Sequence, residues 1–147
     1  MVEVRRATLA DAHDLAPRLR ADDVAEVEAS GGYAPLGALL ASLEASEVAF
    51  ALVIDGRVEA LFGVAAPGVV WLLGSDVLLR RPLALCRQAR VWLPILLDRY
   101  PVLTNCVDAR YRTALRLAEW LGFEIGPEEP FGIAGLPFRR IEIRRST

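Results

Sequence analysis

The chain has no lysine: all 17 of its basic residues are arginine, which reads as the codon bias of the encoding genome. Histidine occurs once, at His13, and cysteine twice, at Cys86 and Cys106. One imidazole and two distant thiols have none of the ligand spacing of a metal centre, so no metal is expected. The two cysteines read as reduced core thiols. His13 lies off the apolar stripe of its segment and reads as solvent-exposed. Long apolar runs are also missing. Residues 60–75 are uncharged, but Gly63, Pro67, Gly68 and Gly74 interrupt them, which excludes a membrane helix there. Charges begin at Glu3, Arg5 and Arg6, so a signal peptide is not expected and an intracellular, soluble protein is. There are no internal repeats and no low-complexity segments.

What is present is an apolar chain of 147 residues, long enough to bury one real core and expected to form one domain. It is 54% hydrophobic, with a mean hydropathy of +0.33. That value reads two ways: a core rich in alanine and leucine, or an apolar contact surface for a homo-oligomer or large partner. The net charge of -2 excludes bulk nucleic-acid binding. The charge is unevenly spread, however. Residues 1–60 carry 11 acids against 5 arginines, and residues 61–147 carry 8 against 12.

The chain is organised around residues 102–125. Residues 102–107, Val-Leu-Thr-Asn-Cys-Val, are β-rich and follow the helix-breaking Tyr100-Pro101. Asp108 is placed to cap a helix, because its carboxylate can accept backbone N–H groups of a first turn. Ala114, Leu117, Ala118 and Leu121 recur at helical spacing and predict its buried stripe. Gly122 suits the left-handed position after the last turn, and Phe123 restarts an apolar segment.

This unit resembles the C-terminal signature of the GNAT superfamily of N-acetyltransferases, in which a strand leads into a helix ending Leu-Gly-Phe. Ala114, Leu121, Gly122 and Phe123 match it. Two positions depart. The asparagine that often opens that helix falls on Tyr111. The tyrosine that often serves as general acid falls on Ala118, which cannot donate a proton.

The rest of the chain agrees with that resemblance in its order of elements. Residues 2–7 alternate as a first strand, and Thr8 or Asp11 caps a helix carrying Ala12, Leu15, Ala16 and Leu19 inward. The opening Arg-x-Ala-Thr-x-x-Asp is also similar to GNAT proteins. Residues 22–28 read as a polar helix whose acids form a solvated face; the resemblance implies that this region borders an acceptor site, where an acidic lip would attract a cationic amine. A helix is predicted over residues 35–47 with Leu36, Leu39, Leu40 and Leu43 inward. Strands follow at 48–54 and 57–66, joined by Asp55-Gly56, a preferred two-residue hairpin turn. Residues 69–73 are expected to be a fully buried strand. A helix runs from Leu83 to Tyr100, with Pro94 expected to kink or split it. Residues 126–130 read as a loop, and 138–143 as a last edge strand. Trp71, Trp92, Trp120 and Phe123 fall at inward positions, with a contact surface as the alternative for at least one tryptophan.

The expected fold is α+β: a mixed, mainly antiparallel sheet of six or seven strands flanked by helices, with the strands at Leu72 and Asn105 diverging side by side. The segment Gly74-Ser75-Asp76-Val77-Leu78-Leu79-Arg80-Arg81-Pro82 falls where the resemblance implies a glycine-rich loop whose amides hold the diphosphate of acetyl-CoA. That glycine pair is missing. Val77, Leu78, Leu79, Arg80 and Arg81 are therefore the candidate cofactor contacts. The two arginines read either as replacement phosphate ligands or as an ordinary basic helix start. Asp76 is the best-placed carboxylate for a general base, and reads more readily as a helix cap or a loop hydrogen-bonder.

Residues 71–76, the arginine-bearing helix, Tyr-Pro-Val-Leu-Thr-Asn-x-Val-Asp-Ala-Arg and Trp-Leu-Gly-Phe together resemble phage and prophage GNAT-like relatives of the internal virion protein of T7-like phages. Three functions follow. The first is an acetyl-CoA-dependent N-acyltransferase acting on a small amine, a protein N-terminus or a lysine. The second is a non-catalytic CoA-binding module. The third is a virion or assembly protein that binds other phage proteins. The corresponding locations are the host cytoplasm or the virion. No nucleic acid or membrane partner is expected.

Overall fold

Tight turns build the first half of the sheet. The computed structural model describes residues 1–146. Strands β1 (Val2–Arg6), β2 (Ser46–Ile54), β3 (Arg57–Ala65) and β4 (Val69–Gly74) form a run of antiparallel neighbours. Asp55 and Gly56 between β2 and β3 both take positive φ, 50° and 81°, as the preferred hairpin turn requires. The second half holds β5 (Val102–Asp108), β6 (Glu124–Phe131) and β7 (Leu136–Arg144). The complete order is β1-β2-β3-β4-β5-β7-β6, a mixed and mainly antiparallel sheet of seven strands.

Helices cover both faces. α1 (Leu9–Leu15), α2 (Ala21–Gly31) and α3 (Pro35–Ala45) share one core with Ala51, Val53, Leu61 and Leu73 of the sheet. Thr8 and Asp11 divide the capping role: Thr8 Oγ1 accepts from the Asp11 N–H, and Asp11 Oδ2 accepts from the Thr8 N–H. On the other face, α4 (Val77–Arg80), α5 (Pro82–Arg99) and α6 (Arg112–Leu121) cover two further clusters, around Leu78 and around Leu103, Phe123 and Ile141.

Several sequence expectations need correction. Residues 126–130 are strand: β6 is the sheet edge and β7 lies inside it, between β5 and β6. An edge tolerates Pro127 and Pro130, whose missing N–H groups can face solvent, and the register slips between Ile125 and Glu128. α5 runs through Pro94 without a break; Pro94 is exposed, where water can satisfy the backbone group it leaves unpaired. Asp108 does not cap α6. Its Oδ1 accepts from the Arg110 N–H, and Tyr111 occupies the cap position without a side-chain bond to the helix backbone. Trp120 is 49% exposed, and Trp71 and Trp92 are half-buried, whereas Phe123 is buried. β4 is not fully buried, for a reason that defines the site.

Among the described residues, no helix is long and apolar enough to cross a membrane, and no cluster of His, Cys, Asp and Glu could hold a metal ion.

Candidate active site

β4 and β5 run parallel and meet at a single register pair, Val69 with Thr104, before they separate. The pivot is tight. The Thr104 N–H donates to Gly68 O at 2.9 Å, and a Cβ at Gly68 would collide with Val102 O. One residue further, Asn105 Nδ2 donates to Val70 O at 2.6 Å and spans the opening angle. The Ser75 N–H bonds Glu59 O on the β3 side, so by alternation Val70, Leu72 and Gly74 turn their backbone groups toward β5. Gly74 finds partners outside the sheet: its O accepts from the Arg20 N–H at 2.8 Å and its N–H donates to Asp23 at 2.8 Å. The N–H and C=O of Leu72 turn into the gap with no strand opposite. Such an edge can pair with an extended, amide-bearing chain.

The gap opens into a cleft of about 640 Å³. Its walls are largely apolar, from Val70, Trp71 and Leu72 on β4 to Leu85, Ala89 and Trp92 on α5 and Leu117 on α6. Val70, Trp71 and Leu72 stay half-buried because they lack a neighbouring strand on that side. The charged lining divides by element. Arg20, Asp23 and Glu26 come from the α2 segment, and Arg116 comes from α6.

At the α2 end the polar groups form a connected network. Asp23 is 1% exposed and accepts from Arg20 Nε at 3.0 Å, the Gly74 N–H and the Tyr111 hydroxyl at 2.7 Å. Burial pushes its carboxyl up, against the Arg20 charge and these donors, which hold it down. One turn on, Glu26 accepts from the Asp108 N–H at 3.0 Å. Asp23 thus holds the end of β4 and Glu26 the end of β5, so α2 bridges the wide end of the gap. Burial, with lesser repulsion from Asp23 and Asp108, raises the Glu26 carboxyl to about 7. A carboxylate with that affinity, lining a cleft, can take a proton at neutral pH. Burial also pushes the Tyr111 hydroxyl up, so it stays protonated and donates to Asp23.

The residues singled out from sequence lie elsewhere. Asp76 is exposed and outside the cleft lining. Leu78 and Leu79 reach the lining, while Val77, Arg80 and Arg81 do not. The amides of Val77, Leu78 and Leu79 are already engaged, by Ser75 Oγ, Ser75 O and Asp76 O. Arg81 pairs with Asp55 at 3.0 Å, and Asp55 also holds the N-terminal ammonium. Ala118 is buried in the helical wall, where it lines the cleft without a donor. The acids of α2 are not all solvated as expected: Asp22 and Glu28 are exposed, whereas Asp23 is buried and Glu26 turns into the cleft. One signal could have found them. Asp23, Glu26, Val27 and Ser30 fall at helical spacing, which puts two carboxylates on the inward stripe with the apolar Val27.

No protein-family model and no curated protein matches the chain. Solved structures do. The chain is similar to the ribosomal-protein-S18-alanine N-acetyltransferase of Escherichia coli, at 18% identity and a TM-score of 0.70 over 100% of this chain and 96% of the other. It is similar to Ard1 of Thermoplasma volcanium, at 12% identity and a TM-score of 0.74 over 99% of each chain. It is also similar to YncA of Salmonella typhimurium, solved with its cofactor acetyl-CoA, at 14% identity and a TM-score of 0.65 over 97% and 93%. The architecture built above, with its splayed parallel pair and flanking helices, is the GNAT acetyltransferase fold.

Proposed function

We propose that this chain is an acetyl-CoA-dependent N-acyltransferase whose amine acceptor meets the donor beside Glu26. One observation carries the reading: the gap between β4 and β5 opens into a deep apolar cleft that ends on a half-neutralised carboxylate. The residues fit one part of acetyl-CoA and not another. The free edge of β4 at Leu72 suits the amide-bearing arm. The amides of Val77, Leu78 and Leu79 are occupied and form no cradle for the diphosphate. Arg80 and Arg81, outside the cleft lining, are rival candidates for the phosphates, and Asp76 is a rival candidate base.

When bound, acetyl-CoA supplies an activated acyl group. The acidic α2 end attracts a cationic amine, Glu26 takes its proton, and the Asp108 N–H keeps the carboxylate aimed. Asp23, Arg20 and Tyr111 act as positioning residues, because they lock α2 to the end of β4. The tyrosine position holds Ala118, and the Tyr111 hydroxyl in the lining is committed to Asp23, so the departing thiolate takes the second amine proton by way of solvent rather than from a dedicated phenol. Mixing the protein with acetyl-CoA and a panel of primary amines, and following free thiol, tests the reading. Glu26→Gln should slow turnover by about 10²-fold or more, the range of one proton-transfer group, while Asp76→Asn leaves it near wild type. Turnover indifferent to Glu26→Gln and abolished by Asp76→Asn would return the role to Asp76.

A second reading is favoured by the engaged loop amides and by Ala118: the fold serves as a non-catalytic interaction module. With it goes a phage or prophage origin, supported by the stretches quoted from residues 71–76 and 100–123. Acetyl-CoA binding without thiol release would support it.

A further inference from the structure

We propose that the nucleotide end of a CoA donor is held by α5 and α6, through Arg90, Arg116 and Trp120, and not by the segment joining β4 to α5. This rests on the acyl-CoA reading above. In that segment the helical amides are engaged, Arg81 is tied to Asp55, and neither Arg80 nor Arg81 lines the cleft. On α6, Arg116 and Trp120 stand one turn apart and both line the cleft, and both are exposed. They therefore mark where the cleft opens to solvent. Across from them on α5, the Arg90 guanidinium sits 4.1 Å from the centre of the Trp120 ring. Among the described residues, neither Arg90 nor Arg116 has a carboxylate within ion-pair distance.

Two guanidinium groups without a carboxylate partner, one of them already stacked on an exposed indole, suit a purine nucleotide. A base stacks on the indole or on the guanidinium plane, and phosphates take the arginine fork. The α2 wall, with Asp23 and Glu26, repels phosphate. This polarity orients a donor with its nucleotide between α5 and α6 and its acyl group toward Glu26. The Gln88 and Thr113 side chains, also in the lining, add neutral donors along the same route.

The test is calorimetry on the full chain with CoA, 3′-dephospho-CoA and pantetheine. Arg90→Ala with Arg116→Ala should weaken CoA at least about tenfold, one decade of affinity. The same pair should leave pantetheine within about twofold, because pantetheine carries no phosphate. Removing the 3′-phosphate should cost the wild-type protein more than it costs the double variant. Trp120→Ala should weaken CoA and leave pantetheine unchanged, and Arg80→Ala with Arg81→Ala should leave CoA within about threefold. CoA affinity that survives the Arg90 and Arg116 changes and collapses with Arg80 and Arg81 would overturn this assignment alone. Wild-type protein that binds neither CoA nor pantetheine would overturn the acyl-CoA reading, and this assignment with it.

Discussion

Glu26 is where the physical chemistry of the chain concentrates. Its usual value near 4.5 rises to about 7 in the folded protein, mainly through burial. Between those values the native chain keeps a proton that the unfolded chain has lost, so stability should fall as pH rises from 4.5 to 7 and stay lower above it. A shift of that size corresponds to roughly 3 kcal/mol. Asp23, also raised, acts with the same sign. Asp11 and Asp108, held low by Arg5 and Arg110, contribute stability that is lost only as pH falls below the ordinary carboxylate range. Denaturant melts at pH 5, 6, 7 and 8 should show the decline, and Glu26→Gln should flatten most of it. A variant that keeps the wild-type slope would place the titration elsewhere. Tyr111→Phe removes one of the donors to buried Asp23 and should cost about 1–3 kcal/mol in the same melts. This residue level was the least legible in the sequence. An acid-rich segment such as residues 22–28 suggests solvent, and only the packing of α2 across two strand ends turns Asp23 and Glu26 inward. Asp76 followed from its place at the end of β4, and in the folded chain it is exposed and outside the cleft lining.

The elements were largely legible, because backbone chemistry marks their ends. The Asp55-Gly56 turn, the Thr8 and Asp11 cap and the left-handed Gly122, at φ 102°, all act where the sequence placed them. What escaped was decided by pairing partners far along the chain. β6 contains Gly126, Pro127 and Pro130, and is a strand only because β7 supplies its ladder. Two predictions belong here. Gly68→Ala should destabilise the pivot of β4 and β5, since its Cβ would strike Val102 O. The cost should exceed the roughly 1 kcal/mol usual for glycine effects, and urea melts would measure it. A neutral outcome would mean that the strand starts can move apart freely. Phe123→Ala, in the buried cluster with Ala118 and Ile141, should cost about 3–5 kcal/mol. A loss far below 1 kcal/mol would show that Phe123 contributes little to that core.

At the scale of the whole molecule, one sheet spans residues 2–144 and couples both halves of the chain. Thermal unfolding should therefore be one cooperative transition, and two separate transitions would divide the sheet at the β4–β5 junction. The apolar excess of the sequence reaches the surface at separate points, among them Leu9, Ile133 and, along α5, Leu83, Val91 and Ile95. The charge asymmetry between the halves reappears in the cleft, where the α2 segment brings two acids and one arginine and α6 brings an arginine alone. Fold does not fix function, so the GNAT architecture alone does not separate a transferase from a non-catalytic module. The central claim is that the gap between β4 and β5 receives an acyl-CoA. Titrating the protein with acetyl-CoA in a calorimeter tests it most directly. Saturable binding is expected, accompanied by stabilisation of about 2.7 kcal/mol when acetyl-CoA stands at a hundred times its dissociation constant. No heat and no thermal shift at millimolar acetyl-CoA would contradict it.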